Sequence, residues 1–231
     1  MGGAAFTAAV APGAITSLFG NYLSASIGRA PAIPLATVLS GTIVKVNGVA
    51  APIYFTAPTQ VNFQMPFEAA AGTAQVTVTL ANLTSAVTNV TLSSAAPGIF
   101  TANSAGTGQG AVLNAVTAEI AAPTGSLTGA KPIPRGQFIT IYCAGLVAVN
   151  DTPVSGTAAL SSPLSRTVSP TTVTVGGVTV PADFAGLTPG FVGLYQVNVQ
   201  IPATATTGDA VPLTISVGGT QSNSVTIAIA P

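Results

Sequence analysis

Two nearly identical heptapeptides constrain the fold of this chain more than any other feature of its sequence. They read QVNFQMP at residues 60–66 and QVNVQIP at residues 196–202. Successive side chains of a β-strand point to opposite faces, so each heptapeptide places three apolar residues on one side and three neutral amides on the other. The closing proline has no N–H for a neighbouring strand and ends the strand. The pattern predicts two equivalent strands, each with one buried face.

The repetition extends well beyond the heptapeptides. Its landmarks recur in the same order, with loops of different length between them. The first copy has PGAITSLFGNYL (12–23), VKVNGVAAP (44–52), its heptapeptide and a Val/Thr-rich strand pair at 73–92. The second copy has RGQFITIYCAGL (135–146), VTVGGVTVP (173–181), its heptapeptide and a Val/Thr-rich strand pair at 209–229. Loops absorb insertions more readily than the elements they connect. We interpret the chain as an internally duplicated domain with a junction near residues 95–98.

Apolar and polar residues alternate with period two through most of the chain, as in Val76–Leu80 and Leu213–Val217. This period is typical of half-buried strands. Gly-Gly pairs at 176–177 and 218–219 suit hairpin turns, and long helical patterns are missing. We therefore predict an all-β protein of two tandem sandwiches, spanning 11–95 and 96–231, preceded by an extended segment at 1–10.

Charge is unusually scarce. Only 4% of the residues are charged, against roughly 25% in ordinary soluble domains, and five acids balance five bases. Little electrostatic repulsion then keeps copies apart, so we expect the surface to be covered by self-association or by glycans. The sequons predict glycosylation at Asn82, Asn89 and Asn150. Five scattered cations exclude a phosphate-binding track, and no apolar run reaches the roughly 18 residues of a membrane span.

The side chains that carry catalysis are sparse. The chain has no histidine, which removes the usual general base and most zinc sites. No two of the five acids share a motif, and a calcium site at Asp151 or Asp209 would need backbone carbonyls. Asp209 is more simply a turn residue, and Cys143 a small buried hydrophobe rather than a reactive thiol. We predict a protein that is not an enzyme and has no cofactor or metal.

The repeated pattern resembles the IPT/TIG type of immunoglobulin-like domain. The stretches PGAITSLFG, VKVNG and MPFEAAAG fit in the first copy, and VTVGG and IPATATTG fit in the second, whose opening departs at Arg135-Gly136 and Cys143. The whole chain also resembles the Solibacter-type uncharacterised C-terminal domain of secreted acidobacterial proteins, through APGIFT (96–101), GQGAVLN (108–114), SPLSRTV (162–168) and FAGLTPGFVGLYQVNVQIP (184–202). This resemblance implies tandem immunoglobulin-like sandwiches, an extracellular or cell-surface location and no catalysis.

Three functions stay open at this point. The first is a self-assembling subunit of a surface fibre or layer, in which the N-terminal segment adds as a strand to a neighbouring copy. The second is an adhesin or carbohydrate-binding module whose amide faces contact a protein or a sugar, although these faces could simply be solvated or bonded to nearby loops. The third is a spacer in a larger secreted enzyme. The candidate interface residues are Gly2, Gly3, Ala4, Ala5, Phe6, Thr7, Ala8, Ala9, Val10, Gln60, Asn62, Gln64, Gln196, Asn198 and Gln200.

Overall fold

The computed structural model describes all 231 residues and consists of strands, turns and loops. The prediction of an all-β fold is confirmed, and no residue of the chain lies in a helix. Twenty strands make four sheets, which pack in pairs as two tandem immunoglobulin-like sandwiches. The predicted strand runs and both Gly-Gly turns lie where the period-two pattern placed them.

The first sandwich contains nine strands in two sheets. Its strands, numbered along the chain, are β1 Ile15–Phe19, β2 Gly28–Arg29, β3 Thr42–Val46, β4 Val49–Ala50, β5 Ile53–Ala57, β6 Gln60–Gln64, β7 Gly72–Leu80, β8 Leu83–Thr84 and β9 Thr88–Leu92. One sheet has the order β1-β6-β5-β2. The other has the order β4-β3-β7, with both β8 and β9 paired to β7.

The second sandwich repeats this plan with additional strands. Its strands are β10 Gly98–Ile99, β11 Val112–Asn114, β12 Ile133–Pro134, β13 Phe138–Ala144, β14 Thr171–Val175, β15 Val178–Pro181, β16 Phe184–Leu187, β17 Tyr195–Gln200, β18 Gly208–Val217, β19 Thr220–Gln221 and β20 Val225–Ala230. One sheet has the order β10-β13-β17-β16, with β11 also on β13. The other has the order β12-β20-β18-β14-β15, with β19 on β18.

The duplication is visible in the strand registers. In the first sandwich β1 pairs with β6 so that Ile15 lies opposite Gln64, and in the second β13 pairs with β17 so that Phe138 lies opposite Gln200. The heptapeptides thus form β6 and β17 in equivalent places. Their apolar side chains are at most 1% exposed, which confirms them as core: Val61, Phe63, Met65, Val197, Val199 and Ile201.

Each sandwich has its own hydrophobic core. Fourteen buried residues between Val10 and Leu92 form one cluster, and 28 between Ala95 and Ile229 form the other. The β3–β4 turn (Asn47-Gly48) and the equivalent β14–β15 turn (Gly176-Gly177) have positive φ at both residues. A two-residue turn of this kind matches the twist of the strands that it joins, and it favours Asn and Gly.

The N-terminal segment differs from the extended strand expected for residues 1–10. Gly2 N–H donates to Thr7 O at 2.9 Å and Phe6 N–H donates to Gly2 O at 2.9 Å, which closes a turn. Val10 is fully buried in the first core and bridges Leu92 in parallel, as Ile133 of β12 bridges Ile229 in the second sandwich. The segment is therefore a folded part of the first sandwich.

Loops of the second sandwich dock onto the first through specific hydrogen bonds. Gly156 N–H donates to Gln64 Oε1 at 2.6 Å, and Leu35 N–H donates to Gly156 O at 2.8 Å. Tyr54 Oη donates to Val192 O at 2.9 Å. A side chain on Gly193 would lie 2.6 Å from Gly13 O, so the loop approaches the first sandwich closely. These bonds hold the two sandwiches in one arrangement.

The contact between the two sandwiches can be tested by substituting the third amide residue of each heptapeptide, Gln64 or Gln200. Gln64→Ala should lower the free energy of unfolding by about 2 kcal/mol, because the buried Gly156 N–H loses its acceptor. The matched change Gln200→Ala should cost less than about 0.5 kcal/mol, since Gln200 is exposed. Urea unfolding followed by circular dichroism measures both, and equal effects would contradict the proposed role of Gln64.

Candidate functional site

The two amide faces are not equivalent. Gln60, Asn62, Gln196 and Asn198 are half-buried on the outer faces of their sheets, whereas Gln64 is fully buried between the two sandwiches. Its amide bridges the sandwiches through the bond from Gly156, so it cannot meet an external partner as the sequence suggested. Gln200 is exposed and donates from Nε2 to Gly136 O at 2.8 Å.

An open apolar groove runs between the two sheets of the first sandwich. Its volume is about 470 Å³, and its floor is formed by core residues that are less than 10% exposed, among them Phe63, Met65, Val76 and Val78. One rim is β1 with Gly20 and Asn21, and the other comprises Ser85, Ala86, Thr88 and Val90. The core of this sandwich can thus be reached from one side.

The outer edge of β1 is paired along only half of its length. Ser17 N–H donates to Met1 O at 3.0 Å, and Gly3 N–H donates to Ile15 O at 2.8 Å. Residues of an antiparallel strand direct their backbone groups alternately to the two sides. Phe19 is therefore the next residue to face this edge, and no strand of the chain pairs with it there.

In the second sandwich, backbone segments pair with the equivalent outer edge, that of β13. Tyr142 of β13 is equivalent to Phe19, and its N–H donates to Ala111 O while its C=O accepts from Phe100 N–H. Val112 and Ile99 lie opposite Ile141 and Cys143, and both are fully buried. In the first sandwich Met1 to Gly3 lie beside Ser17 to Ile15, and no residue of the chain lies opposite Leu18 or Gly20 on this edge. Sequence reasoning missed the groove.

The groove continues into an apolar surface at one end. A second depression shares Leu23 and Val78 with it and adds Leu80, Tyr22 and Leu83. Tyr22 is 88% exposed and Leu83 is 79% exposed. Exposed apolar side chains that adjoin an open groove are typical of interaction surfaces.

The N-terminal residues lie against this edge and against the second sandwich. Ala4 is buried, and a side chain on Gly98 or Gly106 would lie within about 3 Å of Ala5. Phe6 is half-buried, with its ring centroid 6.5 Å from that of Phe19. The predicted donor residues Gly2 to Val10 are thus placed next to the groove of their own chain.

Burial shifts the pKa values of one cysteine and two tyrosines. It raises the pKa of the Cys143 thiol and of the Tyr54 and Tyr195 hydroxyls, because a charged form is disfavoured away from water. Cys143 is fully buried on β13, as a core side chain would be. A thiol reacts through its thiolate, so this environment suppresses nucleophilic chemistry.

Cys143 should therefore be unreactive in the folded protein. A chromogenic disulfide reagent at pH 8 should give no measurable reaction with native protein within minutes, and one thiol per chain should react after unfolding in guanidinium chloride. The physical reason is the combination of steric burial with a raised thiol pKa. Rapid stoichiometric labelling of the native protein would show that this site opens.

The remaining candidate residues lie on the surface or apart from one another. Asn82, Asn89 and Asn150 are exposed, and Asn150 Oδ1 accepts from Arg166 N–H at 2.6 Å. The structure brings no three His, Cys, Asp or Glu side chains into one cluster. It also contains no helix long and apolar enough to cross a membrane.

No protein-family profile and no curated protein sequence matches the chain. Similar solved structures include the surface glycan-binding protein SGBP-B of the Bacteroides ovatus mixed-linkage glucan utilization locus, solved with a mixed-linkage heptasaccharide (TM-score 0.40, 11% identity, 98% of this chain and 43% of that chain). Another is the I9–I11 tandem of titin (TM-score 0.24, 13% identity, 96% of this chain and 62% of that chain). A third is the BSP domain of a biofilm associated protein (TM-score 0.28, 15% identity, 89% of this chain and 30% of that chain). The chain spans less than two thirds of the length of each. Similarity at this level carries no information about ligands.

Proposed function

We propose that this chain is a non-catalytic, extracellular structural module that assembles with copies of itself at a cell surface. The observation that carries the proposal is the open groove of the first sandwich, where no strand of the chain pairs with the edge of β1 at Phe19, whereas β10 and β11 pair with β13 in the second sandwich. The sequence resemblance to IPT/TIG domains and to the C-terminal domain of secreted acidobacterial proteins supports the surface location.

Assembly proceeds by addition of a β-strand. An extended segment lies antiparallel to β1, beyond Met1, and bonds the free N–H and C=O of Phe19. Its inward side chains occupy the places opposite Leu18 and Gly20, where the second sandwich has Val112 and Ile99. The occupant must therefore carry apolar side chains at alternate positions.

The donor is the N-terminal segment of a second copy. In an extended conformation Phe6 and Ala8 would share one face, at the two-residue spacing that the places opposite Leu18 and Gly20 require, while Val10 stays in the core of its own sandwich. In the closed chain Phe6 has φ of +54°, a left-handed conformation that costs roughly 1 kcal/mol for a residue with a Cβ. Extension of the segment relieves this strain, and its backbone bonds to β1 of the second copy replace the turn bonds that it loses.

The surface chemistry favours association. The one ion pair is Lys131 to Glu119 at 3.4 Å, and the net charge is zero. Large apolar side chains such as Tyr22 and Leu83 stand exposed at the end of the groove. A surface with little charge repulsion and apolar contact area offers little resistance to contact between copies.

Arginines on the rim of the groove should block assembly. Ala86→Arg and Thr88→Arg place a cation where the incoming strand must pack, at exposed positions that tolerate substitution. Because burying an unpaired charge costs well over about 1.4 kcal/mol, assembly should need a concentration roughly tenfold higher or more. Analytical ultracentrifugation and negative-stain electron microscopy measure the change.

Thr91→Arg is the matched control, since Thr91 is exposed on the same strand, β9, but does not line the groove. It should assemble like the unmodified chain. The proposal fails if the rim variants form the same particles as the control, or if the unmodified chain stays monomeric at high concentration.

The donor is tested separately with Phe6→Ser. Loss of the largest apolar side chain of the segment should weaken assembly by roughly tenfold, the expected effect of leaving one aromatic unburied. Thr7→Ser changes the neighbouring exposed residue and should have no effect. Deleting residues 1–10 is a poorer test, because it also removes Val10 from the core. Normal assembly of Phe6→Ser would assign the donor strand to another segment.

A second candidate function is glycan recognition by the amide-bearing outer faces. Gln60 and Asn62 lie in a depression of about 560 Å³ on the first sandwich, with Arg29 and Phe55 beside them. This volume is in the range of small-molecule sites. The two functions use different surfaces, the edge of the sandwich and the outer face of one sheet, and one chain can have both.

A further inference from the structure

Two of the five basic residues of the chain occupy corresponding places over a phenylalanine ring. Arg29 Cζ lies 5.4 Å from the centroid of Phe55, and Arg166 Cζ lies 4.8 Å from that of Phe184. Phe55 pairs with Asn62, and Phe184 pairs with the equivalent Asn198. Both copies thus present an arginine, a phenylalanine and the asparagine of the heptapeptide on an outer sheet face.

The site on the first sandwich has unused hydrogen-bonding groups. Gln60 Nε2 donates to Asn62 Oδ1 at 2.8 Å, which fixes both amides. Gln60 Oε1 and Asn62 Nδ2 then have no partner within the protein, and one can accept while the other donates. Arg29 is exposed on β2 and forms no ion pair, so its charge is uncompensated.

The site on the second sandwich differs in charge. Its depression is smaller, about 270 Å³, and contains Asp183 together with Arg166. The carboxylate offsets the positive charge there, although the two side chains form no direct ion pair. Only the site on the first sandwich therefore has a net charge that would select an anion.

Resting on the second candidate function, glycan recognition, we propose that the outer face of the first sandwich binds an acidic glycan through a uronate residue, with Arg29 pairing its carboxylate. A guanidinium presents a planar fork of donors that matches a carboxylate with two parallel bonds. The ring of Phe55 lies under Arg29, with the guanidinium Cζ 5.4 Å from its centroid, a distance at which the ring attracts the cation. The free groups of Gln60 and Asn62 bond the sugar hydroxyls, and Tyr54 forms part of the depression wall.

The same contact has a simpler explanation, in which Arg29 only covers the phenylalanine ring from water. That explanation predicts a small effect of Arg29 on stability and no effect on any ligand. It does not account for the fixed amide pair next to an uncompensated charge. The two explanations predict different effects of an Arg29 substitution on the binding of an acidic glycan.

The probe is trigalacturonate, with its fully methyl-esterified form as a neutral control of the same shape. Isothermal titration calorimetry at low salt should detect binding of the acid and much weaker binding of the ester. Arg29→Gln should weaken binding of the acid by roughly tenfold or more, the expected effect of losing a charge-assisted pair. Arg29→Lys keeps the charge but loses the planar fork of donors, so its affinity for the acid should lie between those of the unmodified chain and Arg29→Gln.

Lys45→Gln is the matched control, because it removes the same charge from an exposed residue on the opposite sheet of the same sandwich. It should bind as the unmodified chain does. The measurement is repeated in the Ala86→Arg variant, so that the result does not depend on assembly. Equal binding of acid and ester, equal loss in the Arg29 and Lys45 variants, or no binding at millimolar concentration would each overturn the proposal.

Discussion

The alternation of side chains along one central strand in each sandwich is the constraint on which the structure depends. In β6 and β17 every second residue enters the core, and the amides between them must face outward. A shift of one residue would bury the amides and expose Phe63 or Val199, so the register is strongly determined. The neighbouring strands β1 and β13 follow this register, and the rest of each sandwich is built around it.

The two copies differ where function is proposed. The second copy fills its sandwich edge with β10 and β11, whereas in the first the N-terminal residues cover only part of β1. Gln64 and Gln200 occupy equivalent places, but one is buried between the sandwiches and the other is exposed. Duplication thus gives both sandwiches the same central strand plan, whereas the contacts between the sandwiches and the open edge of the first make them chemically distinct.

The all-β fold, the internal repeat and the buried apolar triads could be predicted from the sequence because they depend on local alternation and on turn residues. The interface role of the amide faces stays a prediction for Gln60, Asn62, Gln196, Asn198 and Gln200, whereas Gln64 is buried between the sandwiches. Gln64 has the same sequence context as Gln200, and nothing local indicates that a loop around Gly156 will cover it. The N-terminal residues were expected to form an extended strand, but residues 2–7 close a turn, and the burial of Val10 depends on contacts with distant residues such as Leu92.

The sequence by itself determined which residues alternate, where the turns lie and that the chain contains two copies of one plan, since these properties are encoded over a few neighbouring positions. Only the tertiary structure decided that one sandwich edge is open, that Gln64 joins the two halves, and that Arg29 stands over Phe55 without a compensating acid. Such features depend on which segments meet in space, and residues far apart in the chain approach one another only after both cores have formed.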